Sequence, residues 1–183
     1  MSGNLLLGLI ERQQWVQPSL DECAELIKSA FAAGGLPGQK AKNTLHGVWL
    51  GHPLHPAVTD IPIGSWTVAA VLDLCEVRGI GEYQSGADFA VMLGLLGAVP
   101  AALSGMTDWS ATHSKPQRIG ALHGILNMAA TALYASSYAA RRSQRRGVGR
   151  FLAYLGYGLV LASAYLGGEL SHGQKIGVNH APD

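Results

Sequence analysis

The chain has 183 residues, 48% of them hydrophobic and only 14% charged, against about 25% charged in an average soluble domain. That balance excludes intrinsic disorder, which needs low hydrophobicity and high charge. A net charge of +1 excludes a general field for attracting nucleic acid, and two cysteines, Cys23 and Cys75, exclude a disulfide scaffold.

The chain divides by composition into residues 1–44 and residues 45–183. In the first part, Leu5 to Ile10 is apolar but too short to span a bilayer, and no basic region precedes it. Ser19-Leu20-Asp21-Glu22 fits a capping box. Leu20, Cys23, Ala24, Ile27, Ala30 and Phe31 then follow helical spacing until Gly34-Gly35. The pattern predicts an N-terminal amphipathic helix with two open placements, on the bilayer surface or over a partner subunit. Both cysteines read as small apolar packing residues.

Residues 45–183 carry long stretches without formal charge: 89–107, 119–140 and 151–168. A helix of about 20 residues covers the hydrocarbon core of a bilayer. A fourth apolar run starts behind Thr59 and Asp60 as possible N-caps and ends near Asp73 and Glu76. These stretches predict an all-α fold, a four-helix transmembrane bundle with spans near 60–77, 87–107, 119–140 and 151–169. Small residues at four-residue spacing (Gly94 and Ala98, Gly120 and Gly124, Ala132 and Ser136) suit close helix packing in lipid. Pro100 is expected to kink the second span. Trp49, Trp66 and Trp109 read as interfacial anchors, and Asp73 as a costly intramembrane acid that is paired or protonated.

Five arginines, Arg141, Arg142, Arg145, Arg146 and Arg150, crowd one short loop. The positive-inside rule places that loop in the cytoplasm, and parity puts both termini on the non-cytoplasmic side. The same run also fits a contact to anionic lipid. With four spans, all seven histidines (His46, His52, His55, His113, His123, His172 and His180) fall on the side of the termini.

Histidine is the commonest metal ligand, and three features concentrate it. His52-Pro53-Leu54-His55-Pro56 is a proline-stiffened segment that presents two imidazoles, either as ligands or as hydrogen-bonded interfacial residues. Gly120, His123, Gly124, Asn127, Thr131 and Tyr134 form one small-and-polar stripe on the third span. An imidazole at membrane depth faces protein or a cavity and marks a functional site by default. In the tail, glycines after Tyr165 break the fourth span before His172, and His180 follows on Gly177-Val178-Asn179. Arg118 could pair Asp108 or Glu169, or hold an anionic group such as a haem propionate. The candidate cofactor contacts are thus His52, His55, Arg118, His123, Asn127 and His172. The candidate metal ligands are His52, His55, His123, His172 and His180.

Several segments together resemble the DUF2231 family of bacterial membrane proteins. They are Leu45 to Pro56, Thr59 to Trp66, Gly105-Met106-Thr107-Asp108-Trp109, Arg118, His123 with Asn127, Leu133-Tyr134 with Ser137, Leu166 to Glu169, and Gly177 to His180. The resemblance runs in order over residues 45–180 and leaves out the amphipathic front segment. It implies a four-helix domain in the bacterial inner membrane and no established activity. Some relatives carry a Rieske-type iron–sulfur domain, which points to electron transfer. This chain lacks the paired Cys and His motifs for such a cluster, so a redox role would rest on a b-type haem, a metal ion or a redox partner. The alternative function is a non-catalytic accessory or assembly subunit of a larger membrane complex. No nucleophile constellation or phosphate loop is present to indicate an enzyme, and few intramembrane charges argue against transport.

Overall fold

A computed structural model of the chain describes residues 5–174 and is all-α over that range. Seven helices follow one another: α1 (Leu5–Arg12), α2 (Gln17–Ala33), α3 (Gly35–His46), α4 (Leu54–Val77), α5 (Gln84–Ser110), α6 (Ser114–Arg142) and α7 (Arg146–Gly168). A single π-helical turn, Glu169–Gly173, follows α7.

Among the described residues, three helical stretches are long and apolar enough to cross a membrane: 54–77, 84–110 and 146–173. The expected span at 119–140 lies inside α6, which is 29 residues long but not among the three. Its uncharged stretch carries His123, Asn127, Thr131, Ser136 and Ser137, and these lower its hydropathy although no formal charge interrupts it.

Every long helix starts earlier than the charge pattern suggests. Thr59 and Asp60 do not cap α4: the helix begins at Leu54, and the Thr59 hydroxyl donates to the Pro56 carbonyl one turn back. Proline is tolerated there because the first-turn amides have no intrahelical acceptor. His55 is therefore a first-turn helical residue, and only His52 and Pro53 of that segment lie outside the helix. Pro100 sits within a continuous α5. The capping box is also displaced: α2 begins at Gln17 with Pro18 in its first turn, leaving Ser19 inside the helix. The α2–α3 junction falls where the glycine pair indicates, with Gly35 at φ +55°.

The inward face of α2 differs in part from the predicted one. Ala24 is buried and Leu20, Ile27 and Phe31 are half-buried, but Cys23 and Ala30 are exposed. Cys23 is thus no packing residue. The spacing 20–24–27–31 is a narrower helical stripe than the apolar periodicity of the sequence suggests.

The chain divides into two compact units. The described part of the first comprises residues 5–55, 102–124 and 164–174; the second comprises 56–101 and 125–163. The core of the second unit is built on small residues, Ala69, Ala90, Ala98, Ala130 and Ala153, around two large aromatic rings. Trp66 and Tyr134 stack face to face with ring centroids 4.0 Å apart and planes 6° apart. Gly94 lies against the Trp66 indole, which occupies the place of its missing side chain, and Gly156 lies against the Tyr134 ring. Trp66, only 3% exposed, is a core residue and not an interfacial anchor. Of the paired small residues, Ala132 and Ser136 are exposed, whereas Gly94 and Ala98 pack inward.

The same unit contains an ion-pair network that joins its four long helices. Arg141 of α6 reaches Asp73 of α4 with both terminal nitrogens and Asp88 of α5 at 3.0 Å. From α7, Arg146 reaches Asp88 at 2.8 Å and Glu76 at 3.3 Å, while Arg150 reaches Glu76 at 2.5 Å. The Arg141 and Asp73 side chains have no exposed surface. Asp73 is therefore paired. Ser137 completes the arrangement, accepting from Arg141 Nε at 3.1 Å and donating to the Gly149 carbonyl at 2.6 Å. Gly149 allows this approach, since a side chain there would meet the Arg141 stem.

Outward positions on the apolar helices are occupied by Ile61, Val68, Val71 and Leu74 on α4 and by Phe89, Leu93, Leu96 and Val99 on α5. Phe151, Leu155 and Leu161 continue this pattern on α7. Exposed apolar belts over buried polar networks are what lipid contact requires.

Candidate functional site

The first unit brings two of the predicted histidines together. His55, in the first turn of α4, and His123, on α6, meet edge to face with ring centroids 6.1 Å apart and planes at 90°. Each ring rests on a glycine of a further helix. A methyl group at Gly105 of α5 would lie 2.8 Å from His55 Cε1, and one at Gly167 of α7 would lie 3.1 Å from His123 Cε1. Four helices thus contribute to the pair, two supplying imidazoles and two supplying flat backbone seats. Both histidines are half-buried.

One helical turn from Gly105, Asp108 accepts a 2.6 Å hydrogen bond from Nδ1 of His46, the last residue of α3. Both side chains are almost nine-tenths buried. Residues three apart share a helix face, so the His55 seat and the His46 partner are neighbours on α5. The carboxylate fixes which ring nitrogen of His46 carries the proton. This pair spans 62 residues of chain, and no local spacing announces it.

The other predicted contacts are dispersed. His52 is exposed in the turn before α4. His172 is exposed in the π-helical turn, with Nδ1 3.2 Å from the Gly168 carbonyl of its own helix. His180 lies outside the described residues. Asn127 falls in the second unit, and its carbonyl accepts from Thr131 at 2.8 Å. Among the described residues, no three of His, Cys, Asp and Glu converge closely enough to hold a metal ion by themselves.

Arg118 pairs with neither Asp108 nor Glu169. Its Nη1 donates to Gln17 Oε1 at 2.6 Å and its Nη2 to the Glu11 carbonyl at 3.4 Å. Lys115 binds the Glu11 carboxylate, and buried Gln117 bonds both the Gln17 side chain and the Leu20 carbonyl. The start of α6 is therefore the clasp that holds the N-terminal helices. Trp109 donates to the Gln117 carbonyl at 2.8 Å and lies over Gly120, so it too is an internal packing residue. Glu169 accepts from Gln174 at 3.0 Å. The glycines after Tyr165 do not interrupt the helix; α7 continues to Gly168 and then changes to a π-helical turn, a device found often near functional sites.

Gly105→Ala tests the seat directly. The added methyl cannot be accommodated at 2.8 Å from an imidazole carbon, so the His55 ring must move. The helix itself gains propensity, by about 1 kcal/mol. The expected result is a retained helical spectrum with shifted His55 imidazole resonances, checked by circular dichroism and histidine-selective NMR.

Helices long and apolar enough to cross a membrane, with outward hydrophobic belts, define a helical membrane protein, and a half-buried histidine pair lies in its first unit. The chain belongs to the DUF2231 family of predicted membrane proteins, whose model matches residues 51–180. No curated protein and no solved structure matches the chain. The matched range contains both members of the histidine pair and their glycine seats. His46 and the N-terminal helices lie before it.

Proposed function

We propose that this chain is a membrane-embedded cofactor-binding module for electron transfer, with a b-type haem or a metal ion held by His55 and His123. The observation that carries the reading is the 6.1 Å approach of two imidazoles from different helices. Two imidazoles bound to one metal at about 2.0 Å have ring centres roughly 5–6.5 Å apart, depending on the angle at the metal. The 6.1 Å separation of His55 and His123 falls within that range. Facing helices of a bundle are a usual place for such a site, and axial histidines set the potential of a haem.

His52 and His172, one before α4 and one after α7, are the further ligands of this reading, with His180 beyond them in the tail. A metal ion would need such additional donors, from these residues or from solvent, whereas His55 and His123 would be the two residues to hold a haem iron. Arg118, engaged by Gln17 and the Glu11 carbonyl, and Asn127, in the second unit, are left out of this reading.

The reading takes α6 as a fourth span beside α4, α5 and α7, because Thr131, Ser137 and Arg141 on it have hydrogen-bond partners inside the protein. Four crossings in the bacterial inner membrane put both termini on one side. The arginine loop, with Arg142 and Arg145 exposed, lies on the cytoplasmic side, and the histidine pair on the opposite one.

Haem and metal content of the detergent-purified chain, from cells supplied with haem and trace metals, tests the proposal. About one haem or one metal ion per chain is expected, and content near zero in folded protein contradicts it. The second reading is an accessory subunit of a larger membrane complex. It draws on the N-terminal helices, which lie before the matched family range and turn Leu26 and Leu36 outward. Deletion of residues 19–33 would then release co-purifying subunits without altering absorbance.

A further inference from the structure

The N-terminal part of the chain leaves an apolar set uncovered. Leu5 and Leu9, one turn apart on α1, are 80% and 51% exposed, and Trp15 just beyond them is 78% exposed. Val48, Trp49 and Leu50, between α3 and α4, are likewise exposed. Neither indole is unsatisfied: Trp15 Nε1 donates to Gln13 at 2.8 Å and Trp49 Nε1 to the Thr44 carbonyl at 3.2 Å. A hydrogen-bonded indole with its rings in the open is the form that tryptophan takes at a membrane–water boundary.

Both groups are tethered at the ends of crossing helices. Glu11, between Leu9 and Trp15, is held by Lys115 and Arg118 at the start of α6, in the stretch that directly follows the end of α5 at Ser110. The Val48–Leu50 turn runs directly into the start of α4 at Leu54. That start is fixed against the end of α5 by His55 on Gly105, and α3 is fixed there by His46 on Asp108. Both groups are thus held at the end of α5, where Leu103 and Met106 are themselves exposed on an apolar crossing helix.

We infer that Leu5, Leu9, Trp15 and the Val48–Leu50 turn enter the headgroup layer of the bilayer, so that the N-terminal helices form an interfacial anchor clamped by Lys115 and Arg118. The occupant of this surface is lipid, and it resolves the two placements open to the amphipathic segment. Its inward stripe, Leu20, Ala24, Ile27 and Phe31, packs on the protein, and different residues meet the membrane.

Fluorescence quenching in proteoliposomes of phosphatidylcholine and phosphatidylglycerol tests this. Full-length protein, Trp15→Phe and Trp49→Phe are reconstituted with acyl chains brominated near the headgroup or near the bilayer centre. Both positions are exposed, so the substitutions leave the fold intact, which circular dichroism checks. The emission lost in each variant is expected to be the component that shallow bromines quench more strongly than deep ones. A lost component that is quenched by aqueous iodide and not by brominated lipid overturns the inference. So does one shielded from both, which would mean coverage by a second copy or another protein.

Discussion

Arg141→Ala is expected to destabilise the helix bundle by about 3–5 kcal/mol, because it leaves the Asp73 carboxylate without its closest counterion. Asp73 has no exposed surface and receives both Arg141 terminal nitrogens, whereas Arg146 and Arg150 approach it only at 3.4 and 3.6 Å. Asp73→Ala should be of similar size, since it strands a guanidinium whose other acidic partner among the described residues is Asp88. The double replacement Arg141→Met with Asp73→Leu removes both charges together and should recover most of the loss. Thermal unfolding of the four proteins in one detergent checks this. Single variants within about 1 kcal/mol of the parent would show that the network contributes little to stability.

His123→Ala and His55→Ala are expected to abolish cofactor binding while leaving insertion and helicity unchanged. Each removes one half of the facing pair, and the half-buried positions tolerate truncation. His172→Ala should retain at least half of the bound cofactor, because its ring is exposed and turned to the Gly168 carbonyl. Equal loss in all three would indicate general disruption and not ligation. Cofactor-to-protein ratios after size-exclusion chromatography separate the two outcomes.

Hydropathy made the three apolar crossing helices and the all-α class legible, because an uncharged apolar run of about 20 residues matches the hydrocarbon thickness of a bilayer. It was less informative at helix ends, where α4 begins before Pro56 and the polar first turns of α5 and α6 lie outside the apolar runs. The ambiguity at α6 is of the same kind. Its His, Asn and Ser residues lower its hydropathy, and only the folded chain shows which partners they find.

The His55–His123 pair was partly visible, since each residue stands in a segment that proline or glycine singles out. Their meeting was not, because it depends on how α4 and α6 pack, with Gly105 and Gly167 as seats. Similarly, the arginine run read as a topogenic or lipid-binding loop, yet three of its five members turn inward to Asp73, Glu76 and Asp88. Spacing along one helix cannot reveal partners on another. Arg118 illustrates the converse, a residue with an expected acidic partner that instead clasps Gln17 and the Glu11 backbone.

An absorption spectrum of the purified full-length protein, as isolated and after dithionite, tests the central proposal most directly. A Soret band that sharpens on reduction, with resolved α and β bands, is the result expected of haem held by His55 and His123. A featureless spectrum from folded protein, together with metal content near zero, would contradict cofactor-based electron transfer and leave the accessory-subunit reading in its place.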